Sequence, residues 1–255
     1  MTLLAVERIK LFTTRSPWWC TLIALVLTIG FGALMAGTSE ENIAPLTIAA
    51  TQFGYTFGLV VVMVMAALAI TTEYRFSTIR ATFLAVPNRP TALIAKATVV
   101  AVLAAIVGEI AAFGSWGIAR LMKPNVDLAI NTAYEWRAVA GVGLVYGISA
   151  VVAVAVGVLL RHSAGAIAVL LIWNQLVEPL VQLIPKVGDD IHKWLPFNVA
   201  NKLITGNPDP STRDVLQGPP PSDAVLGPWP ALAAFAGFAV VLFGIALVVA
   251  NRRDA

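Results

Sequence analysis

Cysteine is nearly absent from this 255-residue chain, and the single copy, Cys20, lies inside an apolar run. An intramolecular disulfide and a thiolate metal cluster are both excluded. Charge is scarce too: 12% of residues are charged and 58% hydrophobic, whereas soluble domains carry roughly 25% charged residues. With a mean hydropathy of +0.83, the composition is that of an integral membrane protein. No GxxxxGK[ST] motif occurs, so nothing cradles nucleotide phosphates, and the chain is not itself the ATPase of a pump. HExxH, GxSxG and GxGxxG are missing as well, and His162 and His192 fall on opposite sides of the topology below. A metal hydrolase or triad enzyme therefore has no visible parts, and the expectation is a non-enzyme without a cofactor or metal of its own. The net charge of +3 is not gathered into basic blocks, so no nucleic-acid partner is expected.

What the chain does have is long apolar runs. A spanning helix needs about 20 mostly apolar residues, and six runs qualify: 18–36, 52–72, 97–119, 137–160, 163–184 and 229–250. The first is too long for a signal core and lacks a small-x-small exit, so a retained anchor is expected. Six spans put both termini on one side. With the N-terminus inside, the inner segments hold Arg8, Lys10, Arg15, Arg75, Arg80, Arg89, Lys96, Arg161, Arg252 and Arg253. The first outer loop holds only Glu40 and Glu41, while Arg120 and Lys123 weaken the asymmetry slightly. Both termini are thus expected in the cytoplasm.

Residues 2–16 pattern as an amphipathic helix, with Ala5, Val6, Ile9 and Phe12 opposite Glu7, Lys10 and Thr14. It is expected to lie on membrane lipid and to end at Pro17, before Trp18 and Trp19. The fourth and fifth spans meet at 161–163, a tight hairpin. Segment 185–228 is too rich in proline to span. Its groups Ile191/Trp194/Leu195 and Phe197/Val199/Leu203/Ile204 suit short re-entrant or surface helices on the outer side, with 207–228 as a linker.

Glu109 and Glu178 fall within spans, where a charge costs at least ~2.5 kcal/mol. Asn174, Gln175, Glu178 and Gln182 share one helix face beside Pro179, which is expected to kink the helix. Two readings stay open for that face: the lining of a translocation path, or hydrogen bonding between helices or subunits. Glu109, alone among Ala, Val and Ile, either binds a neighbouring helix, protonates or meets substrate. Gly54xxxGly58 and Gly143xxxGly147 suit close helix approach.

The stretch 72–96 interrupts the oily pattern. As a helix over 75–86 it gathers Phe76, Ile79, Phe83 and Val86 into a narrow stripe flanked by Arg75 and Arg80. Pro87 stops it, and "PNRP" turns the chain back toward Lys96. Such a stripe suits a groove on a cytosolic partner, and the arginines would equally favour anionic lipid.

"TTEYRFSTIRATFLAVPNRPTALIAK", residues 71–96, resembles the loop between the second and third spans in membrane subunits of the type-2 exporter class of ABC transporters. Glu73, Arg75, Thr78, Ile79, Arg80, Pro87, Arg89 and Lys96 match that pattern, and Ser77 stands where a glycine is common. The resemblance implies a permease in a bacterial cell membrane, built as a dimeric core from a second copy or a homologous permease. Each half would rest on a cytosolic ATP-binding cassette subunit that holds ATP and magnesium. Residues 2–16 would be the connecting helix, and Glu73, Arg75, Phe76, Ile79, Arg80 and Phe83 would belong to a coupling helix. Glu109, Asn174, Gln175, Glu178 and Gln182 are then candidates for the translocation path of an amphiphile, lipid, peptide or drug. A non-transport docking or regulatory subunit and a proton-driven secondary transporter are the alternatives.

Overall fold

The computed structural model describes residues 3–39, 46–86, 88–208 and 218–252, and among these every regular element is helical. Glu40, Glu41, Pro87 and Arg253, which carried parts of the topology and turn expectations, lie outside the described residues. The chain runs through α1 (Leu3–Thr13), α2 (Arg15–Thr38), α3 (Ile48–Thr51), α4 (Tyr55–Arg75), α5 (Thr78–Ala85) and α6 (Arg89–Met122). It continues through α7 (Ala133–Leu160), α8 (Ser163–Ile172), a π-helical turn (Trp173–Val177), α9 (Glu178–Val181), α10 (Gly188–His192), α11 (Pro196–Thr205) and α12 (Pro228–Arg252).

Six helices are long and apolar enough to cross a membrane: Arg15–Thr38, Ile48–Arg75, Arg89–Met122, Ala133–Leu160, Ser163–Val181 and Pro228–Arg252. Each overlaps one of the apolar runs, and the described residues form an all-helical structure with the six long apolar helices of a multi-pass membrane protein. We call the end that carries α1 and α5 basal, and the end that carries α10 and α11 apical.

α7 is the central post. Its span is 72% buried inside the protein, against 17% for each of the last two spans, so those two present most of their apolar surface outward. α6 and α7 cross closely because their contact is glycine on glycine: a Cβ on Gly108 would lie 2.8 Å from the Gly143 Cα. Gly147 abuts Ala101 and Ala105, and Gly54 and Gly58 press on Thr28 in α2.

Where the second span breaks between α3 and α4, hydroxyls from neighbouring helices meet the backbone. Ser115 donates to the Thr51 carbonyl, the Tyr146 hydroxyl donates to Tyr55 O at 2.6 Å, and Gln52 Nε2 donates to Ala112 O at 3.2 Å. A helix can break at membrane depth only when its carbonyls are met in this way.

Several boundaries differ from expectation for identifiable reasons. The break between α1 and α2 falls at Thr14, in extended geometry, and Pro17 sits in the first turn of α2, where its missing N–H costs nothing. α7 begins at Ala133 because Thr132 and Glu135 form a reciprocal capping box. A widened π turn at Trp173–Val177 interrupts the fifth span just before Pro179, which lies in the first turn of α9. Phe197, Val199, Leu203 and Ile204 are buried as the grouping suggested. Residues 218–227 are more than a linker, since Asn201 donates to Pro220 O at 2.8 Å and Ser222 Oγ to Asn198 O at 2.7 Å.

Candidate functional site

α1 turns its polar side inward and leaves Leu4, Ile9 and Phe12 exposed. Glu7, buried at 2% exposure, meets Lys96 of α6 at 2.6 Å and Lys10 at 2.8 Å. Glu73, at the end of α4, meets Lys96 at 2.8 Å and Lys10 at 3.5 Å. Two carboxylates and two ammonium groups thus alternate around one junction of three helices. Lys10 also donates to Thr82 Oγ1 of α5 at 2.9 Å, bringing a fourth helix into the cluster. Burial alone would push the Glu7 carboxyl up, but the Lys96 and Lys10 charges outweigh it and hold Glu7 below the usual carboxylate range. Lys10 loses solvation too, yet its hydrogen bond to Glu7 and the Glu73 charge raise it above an ordinary lysine.

The expected helix over 75–86 is divided. α4 ends at Arg75, the chain turns through Phe76 and Ser77, and α5 starts at Thr78. Ser77 adopts the left-handed conformation, φ 58°, which explains why glycine suits this position. The apolar stripe splits accordingly. Ile79 is buried at 2% exposure, and Phe83 lies half-buried beneath the Arg89 guanidinium, 5.3 Å from its ring centroid. Arg89 also donates to Ala250 O of α12 at 3.5 Å. Outward-facing residues are Arg75, Phe76, Arg80 and Leu84, the last at 86% exposure. Of the six expected coupling residues, then, Glu73, Ile79 and Phe83 anchor the turn to the bundle, while Arg75, Phe76 and Arg80 form its free surface.

At the apical end the structure separates the candidate path residues. Glu178 is buried and accepts from the Phe197 N–H at 3.1 Å, the Asn198 N–H at 2.9 Å and Trp173 Nε1 at 2.9 Å. It caps the first turn of α11, where amide groups without helical partners and the positive end of the helix dipole converge. Gln182 lies 2.9 Å from His192 Nδ1, which is 2.8 Å from Asp223, and Asn198 Nδ2 donates to the same Asp223 oxygen at 2.7 Å. Asn174 is half-buried and Gln175 exposed, on a span with little burial. Glu109 stands apart, half-buried midway along α6, with its carboxylate against Gly143.

The sequence reading missed the Glu7–Lys96 contact and the Gln182–His192–Asp223–Asn198 chain. Glu7 within an otherwise apolar stretch of α1 was the available signal; nothing local pairs His192 with a residue 31 positions away. No protein-family model and no curated protein matches the chain.

Proposed function

We propose that the chain is the transmembrane permease subunit of a type-2 ATP-driven exporter. A separate cytosolic ATP-binding subunit supplies the energy to move an amphiphilic, lipid, peptide or drug-like substrate. One observation carries this reading. The turn at residues 75–85 exposes Arg75, Phe76, Arg80 and Leu84 while its other side is fixed to α1, α4 and α6 through Lys10, Ile79 and Phe83. An exposed surface with rigid backing can pass a displacement from a docked partner into several spans at once. On this reading the basal end is cytosolic, in keeping with Arg8, Arg15, Arg75, Arg80, Arg89, Lys96, Arg161 and Arg252 there. The poorly buried fifth and sixth spans supply the surface for a second permease copy or homologous permease, with Asn174 and Gln175 on that face.

The test is co-purification with a Walker-A ATPase, followed by ATP hydrolysis and transport in vesicles. Arg80→Glu together with Leu84→Asp changes only outward residues and is expected to weaken the complex by about tenfold or more, a loss of ~1.4 kcal/mol. An unchanged complex would sink the coupling role of this surface. A complex that forms normally but never moves a substrate would favour the docking or regulatory alternative. Glu109 gives the proton-driven alternative its one specific support, and transport that ignores nucleotide but collapses with the proton gradient would favour that reading.

A further inference from the structure

Glu109 is a carboxylate near the middle of a spanning helix with no hydrogen bond or ion pair among the described residues. Every other acidic group placed in or beside a span by the structure has partners: Glu73 has Lys96 and Lys10, and Glu178 has three donors. Cations on the same helix and at the start of α7 are committed elsewhere. Arg120 lies over the Trp116 ring at 5.5 Å, Arg137 donates to Leu203 O at 2.6 Å and to Gly206 O, and Lys96 belongs to the basal cluster. An ionised carboxylate left so at bilayer depth is costly, and the described residues supply no partner to offset it.

The surroundings are open on one side. Val102, Ile106 and Ile110 form the outward stripe of α6 and are each about half exposed, and Glu109 borders that stripe. Gly143 of α7 lies under the carboxylate; a Cβ there would collide with Glu109 Oε1, so the glycine makes the room that the carboxylate fills. One turn toward the apical end, Phe113 stacks at a tilt against Trp136, 6.4 Å between ring centroids, and Trp136 is 53% exposed. The outward edge of the α6–α7 contact therefore sets one carboxylate beside exposed aliphatic side chains and an aromatic pair.

We infer that this edge binds an organic cation with an apolar body, entering from the bilayer, with Glu109 as its counter-ion and Phe113 and Trp136 as its aromatic contacts. A cation suits each element: a charge for the carboxylate, apolar surface for the Val/Ile walls and an aromatic face for cation–π contact. The inference names a ligand class within the permease reading but does not depend on it, because binding is measured without transport.

The experiment uses the full chain in lipid nanodiscs and an apolar carbodiimide, which modifies protonated carboxyl groups in apolar surroundings. Glu109 is expected to be labelled, as read by peptide mass spectrometry, and Glu109→Gln to remove that label. Dodecyltrimethylammonium holds the carboxylate ionised and should cut labelling about tenfold at roughly ten times its Kd. Dodecanoate at the same concentration should give no protection. Equilibrium dialysis of dodecyltrimethylammonium should show a saturable site lost in Glu109→Gln and restored in part by Glu109→Asp. Labelling that the cation does not change would make Glu109 a plain protonated carboxyl and overturn the proposal. Absence of labelling with no saturable cation site would place Glu109 against another protein surface and overturn it equally.

Discussion

Ser77 holds a left-handed backbone, φ 58°, at the joint between α4 and α5. That conformation costs an L-residue roughly 1–2 kcal/mol, while glycine's extra backbone entropy costs about 0.5–1 kcal/mol, so Ser77→Gly is expected to be neutral to mildly stabilising. Ser77→Val should lower the thermal midpoint, and thermal unfolding of both variants in detergent decides the sign. The basal lysines differ in the same quantitative way. Lys96→Ala leaves Glu7 and Glu73 without the more buried of the two cations they share and is expected to cost about 3–5 kcal/mol. Lys10, with 35% of its side chain exposed, should cost about 1 kcal/mol or less on the same change. Equal losses in denaturant titrations would mean that the cluster does not centre on Lys96. The sequence showed that Ser77 departs from a glycine pattern, but not why, because backbone handedness is set by the turn it serves. It showed Lys96 and Glu73 as loop charges; their convergence on Glu7 depends on how α1 folds back, which no local spacing encodes.

Docking of α1 depends on pH through this cluster. Glu7 is lowered in the folded protein, so its contribution is present above the ordinary carboxylate value and lost as pH falls through the lower folded value. Lys10 is raised, so its contribution is present below the ordinary lysine value and lost as pH rises through the higher folded value. Amide exchange of α1 should accordingly be slowest at intermediate pH and rise at both extremes; a flat profile would mean the charges do not hold the helix. α11 depends on a single carboxylate in a comparable way. Glu178→Ala orphans two backbone N–H groups and an indole, at about 1–3 kcal/mol for each buried donor, and should speed exchange at Phe197 and Asn198. Glu178→Gln should restore part of the protection. α11 itself was legible from its apolar grouping after Pro196. The cap was hidden because Glu178 lies on another helix, where its face suggested either a lining or a bond between helices without naming the partner.

Across the whole molecule, hydropathy carried most of the fold. The six spans could be read because each needs about 20 apolar residues whatever its neighbours are, and which span becomes the central post could not. α7 takes that place through Gly143 and Gly147, whose value depends on the residues opposite, Ala101, Ala105 and Gly108. α6 has 34 residues, about 51 Å at 1.5 Å per residue, so it outruns the ~30 Å hydrocarbon layer. Its first two turns belong to the basal cluster and its remainder to the membrane. If the fifth span faces a second copy, Gln175→Cys in a Cys20→Ser background should form a disulfide-linked dimer under oxidation. A cysteine at Ile106, on the far side of the α6–α7 pair, should not; monomers from both positions would remove the fifth span from the interface.

The π turn at Trp173–Val177 can also be read as a question of chain length. The Glu178 N–H bonds back to Trp173 O, five residues earlier instead of four, so deleting one residue from this turn, for instance the exposed Leu176, would restore a regular helix and leave Glu178 facing the α11 amides. A one-codon deletion would thus remove the widened turn while keeping the α11 cap in place. Related chains that lack the extra residue should accordingly still carry an acceptor at the place of Glu178 for the start of α11.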